Sequence, residues 1–213
     1  KISKKYELKI TGIHSHIGTG IKKTEAMLEA MDLILDAATG FLDLKFIDFG
    51  GGFDIPYHEA DEELDLVDLG KKMLQRFHQF CKDYGKKLRM KIEPGRFIIG
   101  PAGSLLTTVT NITETPAKRF VGVDTGFNHL VRPVMYGSYH RIVNASRMDG
   151  PMIKVAVAGN ICESGDVFTG KESDATRMVG DPTIGDCIAI LDTGAYGLSM
   201  ASQYNLREVP AEI

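Results

Sequence analysis

The sequence predicts an α/β fold joined to a separate β domain. Three observations carry that prediction. Up to about residue 100, short apolar strands alternate with helices that are apolar along one face. Beyond Gly100 the helical period disappears, and β-branched residues cluster between Gly, Pro and Asp turns. Polar, glycine-containing blocks recur where strands should end, which is where scaffolded enzymes keep their chemistry.

Leu8–Ile13 reads as the first strand. Thr24–Ala38 reads as a helix, with Met27, Leu28, Met31, Leu35 and Ala38 at helical spacing and Thr24 as its expected cap. Leu44–Phe49 is a strand ended by Gly50-Gly51-Gly52. Leu66–Tyr84 is a second helix, with Leu69, Met73, Phe77, Phe80 and Cys81 on one face and Gly85 at its end. Leu88–Ile92 is a third strand, stopped by Pro94 and Gly95. Strand, helix, strand, helix, strand at this spacing means βα units and a parallel sheet. Leu105–Thr115, Phe120–Val123, Tyr139–Val143, Lys154–Ala158 and Asp186–Leu191 then read as strands of an antiparallel β domain. The expected division is residues 1–104 and 105–213. The acidic run Glu59–Asp68 reads as a solvated loop. No internal repeat or low-complexity stretch is visible.

Composition narrows the function. The chain has 213 residues, 43% apolar and 25% charged, enough for a real core. A net charge of −3 gives no electrostatic footprint for nucleic acid or an anionic membrane. No apolar run approaches the roughly 18 residues of a membrane helix, and no signal-peptide pattern opens the chain. Cys81, Cys162 and Cys187 are few, odd in number and far apart, which fits a reducing compartment such as the cytoplasm.

Five blocks carry chemistry: HSHIGTGI at 14–21, DFGGGF at 48–53, EPGR at 93–96, CESGD at 162–166 and GAY at 194–196. Three glycines after an apolar strand let the backbone approach a ligand and aim N–H groups at a phosphate. Neither a Walker loop nor a GxGxxG fingerprint is present. Thr19, with its flanking glycines, can supply a further donor. His16, at a strand end, is either a satisfied structural histidine or a ring that stacks on an aromatic ligand. Glu93 needs a partner if its strand end is buried: a cationic ring nitrogen, or Arg96 in a structural pair. Arg96 suits a carboxylate or a phosphate. Arg132 and Tyr136, four apart in RPVMY, point to an anionic substrate group, or else to a surface Arg and a core Tyr. Cys162, a thiol protonated at neutral pH, can donate a proton, and Glu163 beside it can receive an ammonium. The plainer reading of CESGD is a Gly-Asp turn. Tyr196 opens a segment with helical spacing from Leu198 to Tyr204, where a phenol at a helix N-terminus can bind phosphate. It is also simply a good core residue.

Together these blocks resemble the fold-type III, alanine-racemase-like decarboxylases that use pyridoxal 5′-phosphate (PLP), over nearly the whole chain from His14 onward. That family is a (β/α)₈ barrel followed by a β domain. The resemblance therefore implies that residues 1–104 are the second half of a barrel and residues 105–213 a C-terminal β domain. It implies that His16 stacks on the cofactor ring. Gly50, Gly51, Gly52, Gly95 with the backbone of the Arg96 turn, Thr19 and Tyr196 would hold the phosphate. Glu93 would bond the ring nitrogen. Arg96, Arg132, Tyr136 and Tyr196 would bind substrate, its carboxylates above all. Cys162 would protonate the substrate carbon after CO₂ departs, and Glu163 would read the distal amine. CESGD and RPxMY imply meso-2,6-diaminopimelate as substrate and L-lysine as product; ornithine and arginine decarboxylases of this fold usually carry a shorter Cys-Asp pair. HIGTG departs from the usual HIGSQ, with Thr19 keeping the hydroxyl. The resemblance also implies a homodimer with shared sites, and no metal. The family's Schiff-base lysine lies on the first barrel strand, and none of Lys1, Lys4, Lys5 or Lys9 has its surroundings. A (β/α)₈ barrel takes about 250 residues, so the chain is expected to be a fragment that does not decarboxylate alone. A racemase, a decarboxylase of another basic amino acid and a non-catalytic regulatory relative are the competing readings.

Overall fold

The computed structural model describes residues 2–170 and 175–213; Lys1, weighed above as a Schiff-base candidate, lies outside them. The chain divides into two compact units, Lys1–Pro56 with Glu62–Ile98, and Tyr57–Asp61 with Ile99–Ile213.

The first unit opens with one helical turn, α1 (Ile2–Lys5), followed by β1 (Gly12–His14), α2 (Thr24–Ala38), β2 (Phe46–Asp48), α3 (Leu66–Tyr84), β3 (Arg89–Lys91) and the short α4 (Gly95–Ile99). The strands form a parallel sheet in the order β1-β2-β3, with Ile13 opposite Ile47 and Ile47 opposite Met90. Side chains alternate across a strand. Ile13, Ile47 and Met90 therefore join one core with Met27, Met31, Leu69, Met73 and Phe77 of the helices. Phe49 meets Phe77 edge to face, with ring centroids 6.0 Å apart. The opposite face is polar: His14 pairs in register with Asp48, and Asp48 with Lys91. On that face the Phe46 ring covers Gly12, leaving no room for a Cβ there.

Both long helices run over the residues their periodicity predicts. α3 is capped by Asp65, whose carboxylate accepts the Asp68 N–H at 2.9 Å, and ends at Gly85 in the left-handed conformation, φ 75°. The acidic run is thus partly the start of a helix. Thr24 does not cap α2. Lys23 occupies that place without a side-chain cap, and the Thr24 hydroxyl bonds Glu25 at 3.2 Å. The strands are shorter than predicted because a ladder needs a partner. β2 gives β1 only three residues to pair with, and Leu8 and Ile10 remain exposed.

The second unit is a six-stranded sheet of β4 (Leu105–Glu114), β5 (Arg119–Val123), β6 (Ile142–Asn144), β7 (Met152–Ala158), β8 (Arg177–Gly180) and β9 (Cys187–Ile190), in the order β6-β9-β4-β5-β7-β8. The expectation of an antiparallel sheet is corrected: β5 and β7 run parallel, so the sheet is mixed. The chain between them, including α5 (Arg132–Tyr136) and β6, is long enough for the crossover a parallel pair requires. β4 pairs with β9 through its first half and with β5 through its second, around an irregularity between Val109 and Asn111. β8 escaped the sequence because Val179 alone supplies a buried large apolar side chain there. Its edge nearly closes the sheet onto β6, where the Asn144 side chain donates to the Gly180 carbonyl at 3.2 Å. Inward-facing Val109, Val121, Val123, Val155, Val157, Phe168, Val179, Ile188 and Ile190 fill the core. Among the described residues, no helix is long and apolar enough to cross a membrane.

His140 lies fully buried in this unit, its Nδ1 donating to the Leu191 carbonyl at 3.1 Å. Burial lowers its pKa to about 4, with the Arg132 charge adding to the effect. The unfolded imidazole protonates near pH ~6.5. The unfolded state therefore binds more protons between those values, and stability falls as pH drops through them. Urea unfolding at pH 7 and pH 4.5 should show a loss about 2–3 kcal/mol larger in the unchanged chain than in His140→Gln. Equal losses would contradict a neutral buried ring.

Candidate active site

The functional side chains form two sets, one in each unit. In the first unit, three parallel strands deliver three loops at their C-terminal ends: residues 15–21, 49–54 and 92–95. Their backbones cross closely. A Cβ on Gly51 would lie 1.9 Å from the Glu93 carbonyl oxygen, and one on Gly52, which has φ 95°, would lie 2.1 Å from that of Gly18. These glycines are demanded by strand-end packing. Ile21 donates to the Gly52 carbonyl at 2.9 Å, and Glu93 to that of Gly50 at 2.8 Å, so the loops are stitched together.

The triple glycine does not aim all its donors outward. The Gly50 N–H donates to Asp48 Oδ1 and the Gly51 N–H to His16 Nδ1, each at 3.0 Å. Gly95 donates to the Glu93 carbonyl at 2.8 Å. In the ligand-free chain the N–H groups of Gly50, Gly51 and Gly95 thus have partners within these loops. Thr19 is exposed on the first of these loops, and Arg96 directly follows the third. His16 gains from the same arrangement. An Nδ1 that accepts from a backbone amide is unprotonated, so the ring carries its hydrogen on Nε2 and its plane is held.

Glu93 and Arg96 each have a partner other than the one the Glu93–Arg96 alternative required. Glu93 is half-exposed, and its Oε2 lies 3.1 Å from His14 Nε2. Arg96 Nη1 lies 3.3 Å from Asp54 Oδ1, with side chains only 14% and 10% exposed. His14, Asp48 and Glu93 bring one donor atom each within 4.8 Å of one another. That convergence suits a small cation or a single protonated ring nitrogen equally.

In the second unit, Arg132 is buried at 7% exposure, while Tyr136 is 62% and Tyr196 44% exposed. The alternative of a surface Arg and a core Tyr is inverted. Arg132 lies 5.3 Å from the ring centres of both phenols and donates to the Ser138 hydroxyl at 3.3 Å. Pro133 starts α5, and Gly137 ends it in the left-handed region. Tyr196 does not sit at a helix N-terminus. It occupies a left-handed turn with φ 69°, followed only by the 3₁₀ turns Leu198–Met200 and Tyr204–Leu206. Such a conformation in a bulky residue is costly and collects at functional positions.

Cys162 and Glu163 are exposed on the loop after β7. Asp166 shapes that loop. It is 3% exposed, accepts the Phe127 N–H at 2.7 Å and the Ile161 N–H at 2.9 Å, and its pKa is raised by burial. Gly126 and Gly159 make room for it; a Cβ on Gly159 would sit 2.1 Å from its Oδ2. The Gly-Asp turn reading of CESGD is thus true of Asp166, while Cys162 and Glu163 remain available. Sequence reasoning missed His14, Asp54, Ser138 and Asp166. His14 and Asp166 stood inside quoted motifs, but their partners come from other loops.

A family model described as "Pyridoxal-dependent decarboxylase, C-terminal sheet domain" matches residues 24–194. The chain is 45% identical over 210 residues to a diaminopimelate decarboxylase of Methanothermobacter thermautotrophicus, covering 95% of this chain and 47% of that protein. It is 36% identical over 220 residues to the enzyme of the same name from Escherichia coli (strain K12), covering 100% and 52%. Among solved structures, diaminopimelate decarboxylase from M. jannaschii in complex with L-lysine is similar with a TM-score of 0.84 at 33% identity, over 98% of this chain and 48% of that one. The chain spans about half the length of the curated relatives it matches.

Replacing Asp166 by Asn keeps the shape but puts an NH₂ where one backbone N–H needs an acceptor. Urea unfolding should register a loss of about 1–3 kcal/mol, and Cys162 should alkylate faster as the loop loosens. Unchanged stability and alkylation would contradict the clamp.

Proposed function

The chain belongs to the pyridoxal-dependent decarboxylases, and from that premise we propose that the whole protein decarboxylates meso-2,6-diaminopimelate to L-lysine. In this reading residues 1–104 are the second half of a (β/α)₈ barrel and residues 105–213 its C-terminal β domain. The observation that carries it is the set of side chains in RPVMY, GAY and CESGD: a buried Arg132 lying 5.3 Å from the ring centres of Tyr136 and Tyr196, and an exposed Cys162–Glu163 pair on a clamped loop.

The first unit's residues fit the cofactor. A flat imidazole with fixed tautomer, a carboxylate within reach of a ring N–H, a hydroxyl and a guanidinium are the donor set that PLP's ring and phosphate need. Thr19, Arg96 and the Gly50–Gly52 loop would hold the phosphate, joined by Tyr196, and His16 would cover the ring. Glu93 would hold the ring nitrogen protonated, since a carboxylate favours its charged neighbour. Bound there, the cofactor supplies the sink for the electron pair left when CO₂ departs.

The remaining work belongs to the chain's own side chains. Arg96, Arg132 and Tyr136 bind substrate carboxylates. Arg132 enters that role already desolvated and flanked by aromatic rings, so its fork loses little freedom on binding. Cys162 holds a proton at Sγ and passes it to the substrate carbon after CO₂ leaves; solvent then restores the thiol. Glu163 receives the distal ammonium and so distinguishes the two ends of the substrate. The CESGD loop would serve the site of a partner subunit in a cytoplasmic homodimer.

The test is CO₂ release by the whole protein with PLP, offered meso-diaminopimelate, ornithine, arginine and lysine. Release from diaminopimelate alone is expected, with Cys162→Ala lowering kcat by about 10²-fold or more. Release from ornithine, arginine or lysine instead would overturn the substrate assignment. The 213-residue chain by itself is expected to be inactive, and turnover by it would contradict that.

A further inference from the structure

The ion pair between Arg96 and Asp54 has no counterpart in the chemistry assigned so far. Asp54 follows the triple-glycine loop and is anchored from two sides. Its N–H donates to the Ile21 carbonyl at 3.3 Å, while Ile21 donates to Gly52 at 2.9 Å and pairs with Phe53. Ile21, Phe53 and Ile55 around it are 8%, 4% and 4% exposed. The carboxylate therefore cannot swing out to solvent without disturbing a packed strand end. Its Oδ1 meets Arg96 Nη1 at 3.3 Å, a single contact from an acceptor able to make two.

An anion arriving at Arg96 thus meets a pair of nearly zero net charge. With both side chains largely out of water, the attraction lost is greater than at a surface pair, because screening is weaker. We infer that Asp54 is an internal counter-ion that weakens anion binding at Arg96, keeping the guanidinium oriented when no ligand is present and the bound phosphate or carboxylate exchangeable. The inference rests on the reading of Arg96 as an anion-binding residue and adds a residue that sets its affinity. Removing the acid has two linked consequences. Arg96 is left as a buried charge without this partner, which destabilises the ligand-free fold. An added anion then repairs the deficit, so it binds more tightly and raises the melting temperature further.

The experiment uses the whole protein freed of cofactor, with inorganic phosphate as probe, followed by titration calorimetry and thermal unfolding. Asp54→Asn and Asp54→Ser are compared with the unchanged protein, and Arg96→Met is the control. Both Asp54 variants should bind phosphate at least about fivefold more tightly and show a larger phosphate-induced rise in Tm. Equal or weaker binding in the variant or variants that fold overturns the inference alone. Phosphate binding undiminished in Arg96→Met overturns the reading of Arg96, and the inference falls with it.

Discussion

The first unit depends on a backbone crossing that leaves no space for a side chain. Gly51 lies so close to the Glu93 carbonyl that a Cβ would overlap it, and three parallel strand ends are drawn together at that point. Everything assigned to the cofactor rim follows. The Gly51 amide reaches His16 and fixes its ring; the Glu93 side chain emerges beside His14; the loop that carries the glycines continues into Asp54 and so to Arg96. The hydrophobic core beneath, with Ile47 at its centre, makes this crossing rigid because interiors packed to crystal density do not flex to accommodate a misplaced loop.

The second unit uses different means toward the same end. There, buried polar groups organise exposed reactive ones. Asp166, inside the fold, holds the loop from which Cys162 and Glu163 project, and Ser138 and two phenols hold a buried Arg132. Asp166 accepts two backbone N–H groups and Arg132 donates to Ser138, so each desolvated group is tied to a fixed neighbour, which gives the residues beside it a defined position.

What could be read from the sequence was whatever depends on neighbours along the chain. The amphipathic spacing of Leu69, Met73 and Phe77 with Gly85 gave the second helix to the residue, and the β-branched run from Leu105 gave the longest strand. What depends on pairing between distant segments could not be read. His14 and Glu93 stand 79 positions apart and meet only through the register of three strands. The acid nearest to Arg96 along the chain is Glu93, yet in the fold Arg96 pairs with Asp54, 42 positions away. The parallel contact of β5 with β7 and the backbone turn of Tyr196 are likewise set by tertiary packing. The resemblance to known decarboxylases identified residue types at each motif but carried no information on which backbone donors the motifs satisfy internally.

If the strand-end crossing arranges the site before any ligand arrives, the His16 ring must already be locked in the ligand-free chain. Nitrogen-15 NMR of the histidine rings at neutral pH measures this directly. The account predicts that His16 carries its hydrogen on Nε2, with Nδ1 unprotonated and coupled to a slowly exchanging Gly51 amide. A His16 ring protonated on Nδ1, or averaging between tautomers, would contradict it.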